Sequence, residues 1–311
     1  MNPPYLVRLL LLSSASFFLV QLIVGTLIAF LAPAAIRRAG SMRPQPAARF
    51  LLTLRLLPAA LSALIVAALC VPSYLRFEPR ITEEKAGLLC LAAAILGAVF
   101  CALAISRTVA ALVRSARYLR ACDGRKSCIA GETVWIVKQS SGLALAGILH
   151  PRLLLSEAAM RQLTREQLIV ALSHERAHRA SRDNLKRLLL LLAPAGLHSL
   201  EQAWAKYAEW AADDRAAQAE SDRSALAEAL VRVARLQAGI SMPSLVTSLV
   251  EADEDLSARV HRLLNAAPVY EANPGRGTIA IAGILLLILS ISMSSLPFVH
   301  RLLERLNYDL W

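Results

Sequence analysis

The sequence predicts a mainly α-helical, polytopic membrane protein that also carries one α+β domain outside the membrane. Two observations predict the membrane part: 56% of the 311 residues are hydrophobic, and the apolar residues concentrate in four long stretches. The α+β domain is predicted by the third and longest interval between these stretches, which mixes polar and apolar residues and is long enough to form one core.

Each apolar stretch has the length of a membrane-spanning helix. The stretches lie at about 9–32, 50–71, 86–105 and 278–299. At 1.5 Å per residue, about 20 helical residues cross about 30 Å of hydrocarbon, so we expect four spans. Arg55 is the one charged residue within them, and its long side chain is expected to reach the membrane interface.

The charges of the connecting segments predict the orientation of the spans. Residues 33–49 carry four Arg and no acidic residue, and residues 106–126 are again rich in Arg and Lys. Such segments stay on the cytoplasmic side of a membrane. We therefore expect three spans in residues 1–106, a cytoplasmic domain in residues 107–277, and a short outer tail in residues 300–311 after the fourth span.

Net charge and cysteines add two expectations about partners. The net charge of +11 is explained by cytoplasmic loops that face anionic lipid, so we expect contact with the bilayer and no direct binding of nucleic acid. The five cysteines show neither a disulfide pattern nor a standard zinc spacing. The roles of Cys122 and Cys128 stay open.

Three segments near the start of the cytoplasmic domain predict a small β-sheet. They are Thr133–Val137, Leu143–Ile148 and Leu153–Leu155, which are rich in β-branched, aromatic and other apolar residues. Two roles remain open for this sheet. Its edge could accept an extended peptide as an added strand, or the sheet could simply pack against the next helix.

The run His174-Glu175-Arg176-Ala177-His178 is the clearest chemical motif. The capping box Thr164-Arg165-Glu166-Gln167 predicts that a helix begins just before it. On a helix, His174 and His178 lie one turn apart on one face, where both imidazoles can bind one metal ion. Zinc is the expected metal, and Glu175 is expected to take a proton from the reacting water as the general base.

A catalytic zinc site needs a third protein ligand, and Glu209 is the best candidate. Glu209 and Asp213 are four residues apart and share a helix face, so Asp213 is expected to accept a hydrogen bond from a ligand imidazole. Glu201 is the alternative third ligand. His198 and His261 are candidate hydrogen-bond donors to the transition state.

At these residues the chain resembles the BlaR/MecR family of integral-membrane zinc metallopeptidases. The resemblance covers the His-Glu-x-x-His run, Arg182-Asp183-Asn184-Leu185, Leu143–Leu155, Glu209 with Asp213, and Arg259-Val260-His261-Arg262-Leu263-Leu264. The order of three spans, a cytoplasmic domain and a fourth span is also similar to that family.

The resemblance implies a zincin-like metalloprotease domain on the cytoplasmic side of a bacterial inner membrane. It implies that His174, His178 and Glu209 bind zinc, that Glu175 is the general base, and that Asp183 supports the site from behind. The implied substrate is a cytoplasmic protein, often a transcriptional repressor, cut in signal transduction. Self-cleavage and a homo-oligomer are further expectations.

The source of any signal and the class of function remain open. The sensors of the family carry an extracellular penicillin-binding domain after the fourth span, whereas only residues 298–311 follow here, so a partner or a lipid is expected to supply any signal. The pattern Glu209-x-x-Ala212-Asp213 is equally similar to HtpX-type and CAAX-prenyl-type membrane metalloproteases, which implies quality control or processing. A catalytically inactive scaffold with a closed, four-ligand zinc site is the other alternative.

Overall fold

The structure, a computed structural model, describes residues 4–77, 87–122, 124–138, 142–237, 245–248 and 256–265. The helices within these residues are α1 (Tyr5–Gly40), α2 (Pro44–Ile65), α3 (Val71–Phe77), α4 (Leu88–Ala121), α5 (Glu157–Gln162), α6 (Arg165–Ser181), α7 (Asp183–Leu192), α8 (His198–Ala216), α9 (Glu220–Gln237) and α10 (Leu256–Asn265). The strands are β1 (Gly124–Ile129), β2 (Glu132–Val137), β3 (Leu143–Ala146), β4 (Arg152–Ser156) and β5 (Val246–Ser248). This part of the chain is mainly helical with one small mixed sheet, as predicted.

Among the described residues, three helical segments are long and apolar enough to cross a membrane: Tyr5–Gly40, Pro44–Phe77 and Leu88–Ala121. The second segment joins α2 to α3 through a π-helical turn, Val66–Cys70. At 1.5 Å per residue, 34 residues reach about 51 Å, so each segment extends beyond a hydrocarbon layer of about 30 Å. The predicted fourth span and the outer tail lie outside the described residues.

Small residues bring α1 and α4 into close contact. Ser14 Oγ donates a hydrogen bond to the Ala94 carbonyl oxygen at 2.8 Å. A Cβ atom built on Gly97 would lie only 2.4 Å from the Ser14 carbonyl oxygen. Helices in lipid associate through such close backbone approaches, and a side chain at this glycine would push them apart.

Two arginines join the spanning helices to the rest of the chain. Arg55 on α2 is 2% exposed, its Nε lies 3.6 Å from Glu201 Oε2 on α8, and its Nη2 donates to the Leu190 carbonyl oxygen of α7 at 3.5 Å. Arg107 on α4 donates to the Leu191 carbonyl oxygen at 3.1 Å. The expectation that Arg55 reaches the membrane interface is therefore wrong, because its charge is paired inside the protein.

The sheet has the strand order β1-β2-β4-β3-β5, in which β2 and β4 are parallel and the other neighbours are antiparallel. Strands β2, β3 and β4 match the three predicted segments. The sequence did not predict β1, whose residues are mostly polar, because it gains its structure by forming a hairpin with β2 through Ala130 and Gly131, both at positive φ. It also did not predict β5, a strand of three residues that covers the edge of β3.

The motif helix α6 begins at the predicted capping box. Thr164 Oγ1 accepts from the Gln167 backbone N–H at 3.3 Å, and Gln167 Oε1 accepts from the Thr164 backbone N–H at 3.1 Å. One apolar face of α6 packs into a core that includes Leu172 and residues of β3, β4 and α9. The sequence predicts that this helix continues past His178 through residues 182–184 into residues 188–192 as one helix. That prediction is wrong, because Arg182 adopts a left-handed conformation with φ 56° and separates α6 from α7.

Candidate metal centre

Three buried side chains converge between α6 and α8. His174 and His178 lie one turn apart on α6, and their Nε2 atoms are 3.0 Å apart. Glu209 on α8 places Oε2 at 3.3 Å from His174 Nε2 and at 3.4 Å from His178 Nε2. All three residues are at most 1% exposed, and their ligand atoms form a group that can hold one metal ion.

These separations fit a tetrahedral metal ion. Zinc binds His nitrogen and carboxylate oxygen at about 2.0–2.1 Å, and the tetrahedral angle then puts two ligand atoms about 3.3 Å apart. The three separations here are 3.0, 3.3 and 3.4 Å. The donor set, two imidazoles and one carboxylate, is also one that zinc accepts.

Each ligand imidazole has a carboxylate behind it. His174 Nδ1 lies 2.9 Å from Asp213 Oδ1, and His178 Nδ1 lies 2.7 Å from Asp183 Oδ2. A carboxylate at Nδ1 keeps the proton on that nitrogen, so the lone pair of Nε2 faces the centre. Two lone pairs and a carboxylate oxygen that meet in a buried space repel one another unless a proton or a metal cation lies between them.

Basic residues hold the two supporting carboxylates in turn. Arg259 on α10 is only 1% exposed. It donates from Nε to Asp213 Oδ2 at 3.0 Å and from Nη2 to Asp213 Oδ1 at 2.6 Å. Its Nη1 lies 3.4 Å from Glu209 Oε2. Lys186 Nζ lies 2.7 Å from Asp183 Oδ1. No spacing rule links position 259 to position 213, so the sequence did not indicate the role of Arg259. Lys186 was also missed, although it lies three residues after Asp183, a spacing at which opposite charges pair on a helix.

The pKa values report a strongly negative field around the imidazoles. Burial alone lowers the pKa of His174, but Asp213 and Glu209 overcome this effect and raise it. Burial likewise opposes the upward shift of the pKa of His178, which Glu209 and Asp183 bring well above its ordinary value. A site that stabilises positive charge on two imidazoles also attracts a metal cation.

The pKa values of the carboxylates Glu209 and Asp213 are lowered, whereas that of Glu175 is raised. Burial raises the pKa of Glu209, but the nearby His178 outweighs burial and holds this pKa well below its usual range. Burial also raises the pKa of Asp213, but Arg259 outweighs burial and lowers this pKa to about 2. Burial raises the pKa of Glu175 to about 7, although the nearby imidazoles oppose the rise. Neither Glu175 oxygen has a hydrogen-bond partner among the described residues.

The remaining candidates lie outside the group. Glu201 is paired with Arg55 and is about one-third exposed, so it does not replace Glu209 as the third ligand. His198 is exposed at the first residue of α8, and His261 is exposed on α10. Their role as donors to a transition state stays a prediction.

No protein-family model matches the chain, and no curated protein matches it. The resemblance to the BlaR/MecR family therefore rests on the residues quoted above. What the structure adds is a buried His174–His178–Glu209 group that is able to hold a metal ion, together with three helices, within the described part of the chain, that can span a membrane.

Proposed function

We propose that the protein is an integral-membrane zinc endopeptidase that hydrolyses peptide bonds of a cytoplasmic or membrane-proximal protein. In this proposal, residues 107–277 form a zincin-like domain on the cytoplasmic side of a bacterial inner membrane. One observation carries it: the ligand atoms of His174, His178 and Glu209 converge beside Glu175, a buried carboxyl group without a hydrogen-bond partner in the described part of the chain.

The number of ligands supports a catalytic site rather than a structural one. Structural zinc sites are closed by four protein ligands, whereas catalytic sites use three and leave one position for water or substrate. The described residues supply three ligands to this group. An inactive scaffold with a closed site is therefore the weaker alternative.

Each side chain of the site then has a definite task. Zinc, when bound, supplies the Lewis acid that polarises the scissile carbonyl and acidifies water. Glu175 accepts a proton from the attacking water and passes it to the leaving amine nitrogen. Asp213 and Asp183 hold the two ligand imidazoles in the tautomer and orientation that point Nε2 at the metal.

The position of α8 supports a substrate close to the membrane. Leu200, Trp204 and Tyr207 of α8 belong to one buried cluster with residues of α1 and α2, so the helix that carries Glu209 packs directly on the spanning helices. The resemblance to the BlaR/MecR family supports a repressor as the substrate. The similarity to HtpX-type and CAAX-prenyl-type proteases supports quality control or processing as the second candidate.

The variant Glu175→Gln tests the proposal. It should keep one zinc per chain by elemental analysis and keep its thermal unfolding temperature, because the carboxylate is not a ligand. Its cleavage rate should fall by about 10²–10⁴-fold, the usual contribution of a general base. Glu166→Gln, an exposed position on the same helix, is the matched control and should retain activity.

Natural substrates can be found by comparing the amino termini of cellular proteins in three strains, which carry the wild type, Glu166→Gln or Glu175→Gln. Fragments that appear with the wild type and with Glu166→Gln, but not with Glu175→Gln, identify the substrate. Identical fragments in all three would refute the assigned role of Glu175. A complete lack of zinc-dependent fragments would favour the inactive scaffold.

A further inference from the structure

A cavity of about 240 Å³ lies beside the metal centre, where the start of α2 meets the junction of α6 and α7 and one side of α8. Part of its wall is apolar and includes Leu52 and Trp204. Its basic lining residues are Arg49, Lys186 and Arg215, and its one acidic lining residue is Asp183. The cavity therefore carries an excess of positive charge.

Two of the basic groups converge on a single neutral oxygen. With the Gln45 amide oriented so that its oxygen faces them, that oxygen accepts from Arg215 Nη2 at 2.8 Å and from Arg49 Nη2 at 2.9 Å. The second Nη atom of Arg215 donates to the Ala177 carbonyl oxygen and to Ser181 Oγ, which fixes the guanidinium in place. The position of the Arg215 guanidinium is thus set before any ligand arrives.

No carboxylate neutralises this pair. Within the described residues, neither Arg49 nor Arg215 forms an ion pair with an acidic side chain, and the Asp183 carboxylate is already held by His178 and Lys186. Arg49 is exposed and Arg215 is half-buried, and their two guanidinium groups repel each other where they share one amide oxygen. An anion between them would remove this repulsion and accept charge-assisted hydrogen bonds from both.

The depth of the cavity indicates where the anion comes from. The segment Pro44–Phe77 is about 51 Å long, so about 10 Å at each end projects beyond a hydrocarbon layer of about 30 Å if the segment is centred. Arg49 lies about 8 Å from the start of α2 at 1.5 Å per residue, which is the depth of lipid headgroups. The apolar wall at Leu52, which is half-buried, faces the same cavity and can contact the upper part of an acyl chain.

We propose that this cavity binds the phosphate group of an anionic lipid from the leaflet next to the metal-binding domain. The planar forks of two arginines match the oxygens of a phosphate, which is why arginine is preferred at such sites. The site is independent of catalysis and does not require the proposed peptidase activity. It places a lipid phosphate beside Lys186 and Asp183, the residues that support His178.

The test titrates the full chain, purified in a neutral detergent, with short-chain phosphatidylglycerol, short-chain phosphatidylcholine and inorganic phosphate, and counts bound molecules by native mass spectrometry. Phosphatidylglycerol should bind with a stoichiometry of one at low concentration. Phosphatidylcholine should bind at least about tenfold more weakly, because its choline group cancels the net negative charge. Inorganic phosphate should compete with phosphatidylglycerol only weakly, because it lacks the acyl chain.

Three variants locate the site. Arg49→Gln should weaken phosphatidylglycerol binding about tenfold, which corresponds to about 1.4 kcal/mol. Gln45→Glu should weaken it at least as much, because the new carboxylate takes the place of the phosphate between the two arginines, and should raise the unfolding temperature without lipid. Arg37→Gln is the matched control: it removes one exposed charge near the end of α1, outside the cavity, and should change binding less than twofold.

Three results would overturn the proposal. Equal losses in Arg49→Gln and Arg37→Gln would mean that lipid responds to diffuse surface charge. Equal affinity for phosphatidylcholine and phosphatidylglycerol would mean that no anion is recognised. Tight binding of inorganic phosphate that is lost in Arg49→Gln, without selective lipid binding, would assign the cavity to a soluble phosphate compound.

Discussion

Arg259 and Asp213 form a two-point ion pair inside the domain, with Nη2 at 2.6 Å from Oδ1 and Nε at 3.0 Å from Oδ2. Asp213 Oδ1 also lies 2.9 Å from His174 Nδ1. A continuous series of contacts therefore runs from α10 through α8 to the metal-facing imidazole of α6. Arg259 is almost fully buried, so a substitution that removes its N–H donors is expected to disturb Asp213 and His174 inside the site.

Replacing Arg259 by Lys should weaken zinc binding. Lys keeps the positive charge but cannot supply the fork of donors that holds both Asp213 oxygens. Because the loss of a partner behind a metal ligand typically costs 10–100-fold in affinity, we expect a decrease of about tenfold in competition with a chelator of known affinity. Arg262→Lys, on the same helix but paired with Asp214, should bind zinc like the wild type. Equal losses in the two variants would contradict this role of Arg259.

Substitution of two adjacent aspartates on α8, Asp213 and Asp214, should have very different effects on zinc affinity. Asp213→Asn removes the carboxylate that fixes the tautomer of His174, so zinc affinity should fall about 10–100-fold. Asp214→Asn removes a carboxylate that pairs with Arg262, away from the ligands, and should change the affinity less than twofold. Chelator competition on both purified variants measures the difference, and an unchanged affinity in Asp213→Asn would refute the supporting role.

Zinc should stabilise the folded chain against heat. A ligand that binds only the folded state adds about 2.7 kcal/mol at one hundred times its dissociation constant. Thermal unfolding in detergent, with zinc and with chelator, should therefore show a higher unfolding temperature in zinc. His178→Ala should abolish this difference, whereas His198→Ala, at an exposed position, should retain it. A zinc effect that survives in His178→Ala would place the metal elsewhere.

The crossing of α1 and α4 should tolerate no side chain at Gly97. Gly97→Ala brings a methyl group to about 2.4 Å from the Ser14 carbonyl oxygen, so the helices must move apart, and we expect a loss of about 1–3 kcal/mol in unfolding free energy. Gly25→Ala is the control, since a Cβ there meets nothing within 4 Å. Unfolding of both variants in detergent gives the comparison; equal stability would show that the contact is not tightly packed.

Local rules explain why the centre of the site was predictable. A helix repeats every 3.6 residues, so His174 and His178 face the same direction wherever the helix lies, and the capping box at Thr164 fixes where that helix begins. Glu209 required a further step, because it lies on another helix. Its identification came from the need for a third ligand and from the spacing to Asp213.

Other features had no local signal. Arg182 ends α6 in a left-handed conformation although no glycine marks the position. Arg55 looked like an interfacial residue because its neighbours are apolar, and its pairing with Glu201 depends on how α2 meets α8. Strand β5 is too short to form a recognisable pattern and exists because β3 offers it an edge.

By itself, the sequence determined the three described helices that can span a membrane, the motif helix and the residue types of a candidate metal centre, because apolar length, helical period and capping chemistry act over short distances along the chain. The tertiary structure alone decided that Arg259 holds Asp213 and that Arg215 reaches the Gln45 oxygen, which it shares with Arg49. Both of these contacts join residues distant in sequence. Their partners are therefore fixed by the packing of helices and the burial of charge, which no local pattern encodes.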